Sequence, residues 1–389
     1  MSLANDAELH THPTELAAIL KDVDPNPLPY VMPAVEQLYD QIYGGWLGRA
    51  AGCTLGKPIE LWPHERVRSF LEMNQAYPLD DYIPSMNPMP AEYKFKDEWL
   101  GATKGDIKGT PRDDDMDYAI LNLRILDKYG RDFTTAQIGD EWLKNLPYKQ
   151  VYTAERVVYK NLLNGLEPPQ AGSYRNPYRE WIGAQIRADV WGWVNPGRPD
   201  LAASMAYRDG TLSHAKNGLY GELWVAVMLS IAFAESDVEQ VVRQGLRYIP
   251  SGSRLHAAIT QVLEWSKAYS DWEQCLTCIQ EQYGSYHTVH TINNAAVVAM
   301  SLLYSGGDYE RGITLAVMSG WDTDCNGASV GSILGVINGA QRLPVKWTEP
   351  LHDDVRSLIL SESPLTLSSL AQRTLSHALQ HQSIGGNEA

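Results

Sequence analysis

Two acidic clusters stand out for their chemistry. Arg112-Asp113-Asp114-Asp115-Met116-Asp117-Tyr118 places four carboxylates within five residues, directly ahead of an apolar run of helical periodicity. A helix N-terminus offers unpaired N–H groups and the positive end of the dipole, so one or two of these aspartates can cap the helix. Capping cannot employ all four. Adjacent carboxylates repel and raise one another's pKa unless a cation compensates, and a divalent metal is the economical partner. The second cluster, Gly320-Trp321-Asp322-Thr323-Asp324-Cys325-Asn326-Gly327, repeats the arrangement as an Asp-x-Asp pair ahead of another helix. Carboxylates two apart in a turning segment can share one oxygen-rich shell of the kind Mg²⁺ or Mn²⁺ favours. The glutamate and glycine positions of an EF-hand loop are absent.

These clusters need elements that bring them together, and the glycine spacing supplies a candidate. Gly44, Gly48, Gly52 and Gly56 recur every fourth residue, and so do Gly327, Gly331, Gly335 and Gly339. Glycine costs about 0.8–1 kcal/mol per helix position relative to Ala, so each stripe needs a compensating close approach. Mutual packing of the two helices would carry Glu60 and the Asp322 region to one place; the alternative is that each stripe accommodates some other bulky helix. Around them helical periodicity dominates, in Ala119–Leu126, Leu223–Phe233 and Ala295–Tyr304, while strand alternation is rare. Segments 78–111 and 168–200, rich in Pro, Gly, Asn and Tyr, predict long loops suited to lids or rims. The reading is a single all-α domain over 36–382, an extended arm over 1–35 and a frayed tail over 383–389.

Composition narrows the function classes. The 389 residues, 44% hydrophobic and 20% charged, describe a folded globular chain. A net charge of −15 disfavours nucleic acid and anionic membranes as partners. The apolar stretch Leu223–Ala234 is too short to cross a bilayer, and the first residues lack the pattern of a secretory signal, so a cytoplasmic protein is expected. Four cysteines are few for disulfide stapling, and Cys275 and Cys278 are expected as reduced helix residues. His287 and His290 can share a helix face, yet no acidic or Cys partner follows at a spacing suited to zinc. Neither a G-x-S-x-G elbow nor a P-loop occurs.

The chain resembles the ADP-ribosylglycohydrolase family. The resemblance rests on Gly45-Trp46-Leu47-Gly48-Arg49-Ala50-Ala51-Gly52-Cys53-Thr54-Leu55-Gly56-Lys57-Pro58-Ile59-Glu60, on Asp113-Asp114-Asp115, on Ser213-His214-Ala215-Lys216-Asn217-Gly218, and on Asp322-Thr323-Asp324-Cys325-Asn326-Gly327. It spans roughly residues 40–342. It implies an all-helical fold with a two-Mg²⁺ centre, Mn²⁺ being the alternative ion, that hydrolyses a ribosyl glycosidic bond. The substrate would be an ADP-ribosyl group on protein or small molecule, or a smaller N-riboside. Carried over residue by residue, Asp113, Asp114, Asp115, Asp322 and Asp324 form the metal shell, Asp114 or Asp115 doubles as a base, and Glu60 is the acidic partner near the anomeric carbon. His214, Asn217 and Gly218 are candidate contacts to substrate hydroxyls or phosphate, and Trp321 a stacking platform. The chain departs from the family where Asp113 and Met116 stand at threonine positions and Cys325 at a Ser/Thr position. A thiol suits hard Mg²⁺ poorly. Two other readings therefore stay open: a two-metal phosphoester hydrolase, and a silent relative that only binds ligand. Oligomeric state is left open.

Overall fold

The structure, a computed structural model, describes residues 11–23, 30–95, 101–359 and 365–380. The expected tail over 383–389 and the first ten residues of the arm lie outside them. Helices make nearly all of the regular structure; the strand pair Asp354–Val355 (β1) and Leu365–Thr366 (β2) is antiparallel and two residues deep. Seven helices position the site: α1 (Val35–Gly56), α2 (Asp114–Tyr129), α3 (Asn217–Ala232), α4 (Thr291–Ser305), α5 (Tyr309–Met318), α6 (Thr323–Asn338) and α7 (Leu367–Leu379). All three apolar runs singled out by periodicity lie in helices, namely α2, α3 and α4. No helix among the described residues is long and apolar enough to cross a membrane.

The centre of the molecule is the α1–α6 pair. A Cβ built on Gly44 would lie 2.2 Å from the carbonyl of Gly335, one on Gly48 2.1 Å from that of Gly331, and one on Gly52 2.0 Å from that of Gly327. Gly56 meets the Thr323 carbonyl at 2.2 Å in the same antiparallel register. The two stripes therefore pack on each other, backbone against backbone, which is the compensation their helix cost demanded. Gly339 departs from the pattern, because it is the C-cap of α6 with φ of 73°. Helices α3, α4 and α5 cover the far side of α6, and α7 closes over α1. Residues 44–56 and the whole of α3 are buried on every face, as helices inside a layered bundle must be.

The same pairing continues past the helix ends. Pro58, without an N–H, sits in the 3₁₀ turn Lys57–Ile59 that ends α1. Leu61 N–H then donates to the Trp321 carbonyl and Trp321 N–H to the Trp62 carbonyl, both at 2.8 Å. Leu61 and Trp321 adopt φ of 67° and 62°, a left-handed conformation costing about 1–3 kcal/mol for a side-chain-bearing residue. These strained residues immediately follow Glu60 and precede Asp322. The arm is seated on the domain: Tyr220 OH donates to the Pro13 carbonyl at 2.6 Å and Tyr207 OH to that of Thr14 at 3.0 Å.

Candidate active site

The starts of α2 and α6 open on one cavity of about 660 Å³. Asp113 caps α2 by accepting from Asp115 N–H at 3.0 Å, which leaves its other oxygen to an ion pair with the Lys57 ammonium. Asp114, Glu60, Asp322, Asp324 and Cys325 also face the cavity. The sequence expectation that Glu60 and both acidic clusters converge is met in this geometry.

Asp115 differs. It is fully buried and absent from the cavity wall; one carboxylate oxygen accepts from Arg49 at 3.1 Å and the other from the Cys325 thiol at 3.1 Å. Arg49 also pairs with Asp189 at 2.8 Å and donates to the Asp115 and Ile186 carbonyls at 2.7 and 2.6 Å. Asp115 is thus a buried strut tying α1, α2 and the 186–189 turn together, behind the cavity wall.

The substrate-contact residues expected from sequence are placed elsewhere. His214 is buried beside Ser213, whose hydroxyl lies 2.7 Å from Nδ1. Asn217 donates to Glu180 at 2.6 Å and accepts from Leu255 N–H at 2.9 Å. At Gly218 an added Cβ would lie 2.5 Å from the Arg179 carbonyl. Trp321 is 9% exposed, with its backbone holding the Leu61–Trp62 segment. None of the four lines the cavity, because the 213–218 turn serves to dock α3 onto neighbouring loops and Trp321 to join the two helix ends. His287 and His290 do not share a helix face either: His290 caps α4, while His287 stacks on Trp181 with ring centres 4.2 Å apart and planes 17° from parallel.

That stack forms an aromatic wall of the cavity, with Tyr152 and Tyr118 also lining it. Trp181 belongs to the loop-rich 168–200 segment, so the sequence marked the region but not the residue. Arg112 and Arg356 line the cavity as well; Arg112 is held by Asp117 at 2.8 Å. Glu155, another wall residue unforeseen from sequence, accepts from buried Arg187 at 2.7 Å. Arg187 pairs in turn with Asp209 at 3.1 Å.

Burial and mutual repulsion shape the proton affinities. Asp114 is pushed up to about 8, by burial first and then by the charge of Asp113. Asp324 rises to about 6 for the same two reasons, with Lys57 opposing. Burial, then Asp324 and Glu60, drive Asp322 well above the carboxylate range. Asp113 goes down instead: burial opposes its charge, but the Lys57 ammonium and the Asp115 N–H outweigh it.

Three sets of donor atoms, each within 4.8 Å of one another, occur among the described residues: Cys53–Asp113–Asp115, Asp115–Asp324–Cys325 and Glu60–Asp322–Asp324. The first two include a thiol and carboxylates already paired to Lys57 or Arg49. The third is all oxygen, and Asp324 Oδ1 is buried with no hydrogen-bond partner among the described residues. Glu60, Asp322 and Asp324 therefore fit a hard divalent cation.

The sequence model of the ADP-ribosylglycohydrolase family matches residues 34–383. The chain belongs to that family. It is accordingly an enzyme of the glycosyl hydrolase type. Among solved structures, a chain of an "ADP-ribosylglycohydrolase-related protein complex" is similar in fold, with a TM-score of 0.55 at 21% identity over 88% of this chain and 99% of that one. No curated protein matches the chain significantly.

Proposed function

We propose that this ADP-ribosylglycohydrolase-family enzyme hydrolyses a ribosyl glycosidic bond in a Mg²⁺-dependent reaction, Mn²⁺ being able to substitute, on an ADP-ribosyl group or a smaller N-riboside. The observation that carries the reading is the convergence of Glu60, Asp322 and Asp324 with Asp114 on one cavity of nucleotide size. Asp322 and Asp324, with Glu60 at the rim, would hold the ion, which when bound orients ribose hydroxyls and water and offsets the carboxylate charge.

Glycoside cleavage passes through an oxocarbenium-like transition state that nearby carboxylates stabilise. Glu60, half-buried at the cavity edge, orients the attacking water and takes its proton. Asp114 faces the same cavity, and burial with the charge of Asp113 raises its proton affinity, which suits it to deliver a proton to the leaving group. The Trp181–His287 stack offers a flat apolar face to a nucleobase, and Arg112 and Arg356 offer guanidinium groups to a diphosphate.

The test is turnover of ADP-ribosylated protein, ADP-ribosyl small molecules and simple N-ribosides with saturating Mg²⁺, comparing wild type with Glu60→Gln. Release of a ribosyl product by wild type and a loss of at least 100-fold in the variant support the reading. Cleavage of phosphoesters by wild type with no release of a ribosyl product would sink it in favour of a metal-driven phosphatase, and absence of all turnover would leave a ligand-binding relative.

A further inference from the structure

We infer that Lys57 is a resident cation occupying the Asp113 side of the site, so that this enzyme holds one divalent ion, at Glu60–Asp322–Asp324, and not two. The inference rests on the metal-dependent reading above. Its geometry is direct. Asp113 spends one oxygen on the Asp115 N–H and the other on the Lys57 ammonium, and both partners of that ion pair are nine-tenths buried or more. Lys57 reaches the position because the 3₁₀ turn after α1 places it in the cavity wall beside the start of α2. In the donor set that includes Asp113 the other two members are poor for a hard ion: Cys53 is a buried thiol, and Asp115 is already held by Arg49 and by the Cys325 thiol. The opposite wall is different in kind, since its three donors are all carboxylates and Asp324 Oδ1 is buried and unpartnered among the described residues. A second dication beside Asp113 would have to displace an ammonium from a buried pair and would stand against its charge.

The experiment counts ions. Chelator-stripped protein is titrated with Mn²⁺ alone, free ion being followed by electron paramagnetic resonance and bound ion by elemental analysis after dialysis. Wild type is expected to take up one ion per chain, and Lys57→Met, with its helical circular dichroism intact, to take up a second. Asp113→Asn, which preserves the helix cap because Asn caps as well as Asp, is expected to leave the first ion's affinity within about threefold. Two ions per wild-type chain would overturn the inference while leaving the proposed function standing. A loss of tenfold or more in Asp113→Asn would also overturn it, by making Asp113 a ligand of the single ion. One ion in Lys57→Met, at unchanged affinity, would show that the lysine occupies no metal position and equally overturns it. No bound ion in wild type would bring down the proposed function first.

Discussion

Replacing Gly52 by alanine should loosen the site from a distance. The new Cβ would sit 2.0 Å from the Gly327 carbonyl oxygen, where ordinary contact begins at 3.4 Å. The obstacle is backbone on a helix packed from several sides, so no rotamer change relieves it and α1 and α6 must separate by about 1 Å or more. Overpacking of this kind costs typically ~1–3 kcal/mol, and a rigid backbone partner argues for the upper end or beyond. Alanine returns about 1 kcal/mol of helix propensity. The net expectation is a loss of about 2 kcal/mol, read as a lowered urea midpoint at unchanged slope. Because Glu60 and Asp322 are carried on the ends of these helices, Mg²⁺ affinity should fall with it. Gly139→Ala is the control: it too lies inside a helix, but its Cβ would meet the movable Leu162 side chain at 3.2 Å, and it should change stability by less than about 1 kcal/mol. A Gly52→Ala protein as stable as wild type, with undiminished metal affinity, would refute the claim that helix contact sets the site.

Arg49→Met leaves the buried carboxylates of Asp115 and Asp189 without their shared cation and should cost about 3–5 kcal/mol by denaturant titration; a loss below 1 kcal/mol would show the strut to be dispensable. Thermal melting against pH, in chelator and in saturating Mg²⁺, tests the carboxylate cluster. Proton affinities raised on folding, to about 6 at Asp324 and about 8 at Asp114, contribute stability that is whole below pH 4 and lost as pH climbs through those values. Asp324 alone amounts to on the order of 3 kcal/mol, so the chelated protein should weaken between about pH 4 and 8, while the stabilisation by Mg²⁺ grows over the same range. A gap between the two curves that does not vary with pH would contradict this. Trp181→Ala should raise KM for an ADP-ribosyl substrate by about tenfold or more, the worth of one stacked base, with kcat little changed; an unaltered KM would remove the aromatic wall from substrate binding.

Much of the framework is legible in the chain because it rests on short-range rules. Helical periodicity marked α2, α3 and α4, and the four-residue glycine spacing in two distant segments pointed to the α1–α6 contact that brings Glu60 to the Asp322 region. The aspartates at the two helix starts could be picked out by type and spacing alone. What escaped depends on contacts between distant segments. Nothing near Arg49 in sequence marks Asp189 as its partner, and nothing near His287 marks Trp181. Lys57 was visible in the glycine-rich segment, yet its pairing with Asp113 follows from the turn that Pro58 helps to make. The 213–218 segment points in the other direction: a Ser-His-Ala-Lys-Asn-Gly turn has the composition of an anion site, but its Asn217 amide is taken up by Glu180 and the Leu255 N–H, and the segment does not line the cavity.

The central claim is that Glu60, just past the end of α1, and the acidic start of α6 meet to hold a divalent cation. Crystals grown with Mn²⁺, with diffraction recorded at its absorption edge, test it most directly. The account predicts an anomalous peak within bonding distance of carboxylate oxygens of Glu60, Asp322 and Asp324. A peak bound elsewhere, or a cavity that stays free of Mn²⁺ at millimolar concentration, would contradict it.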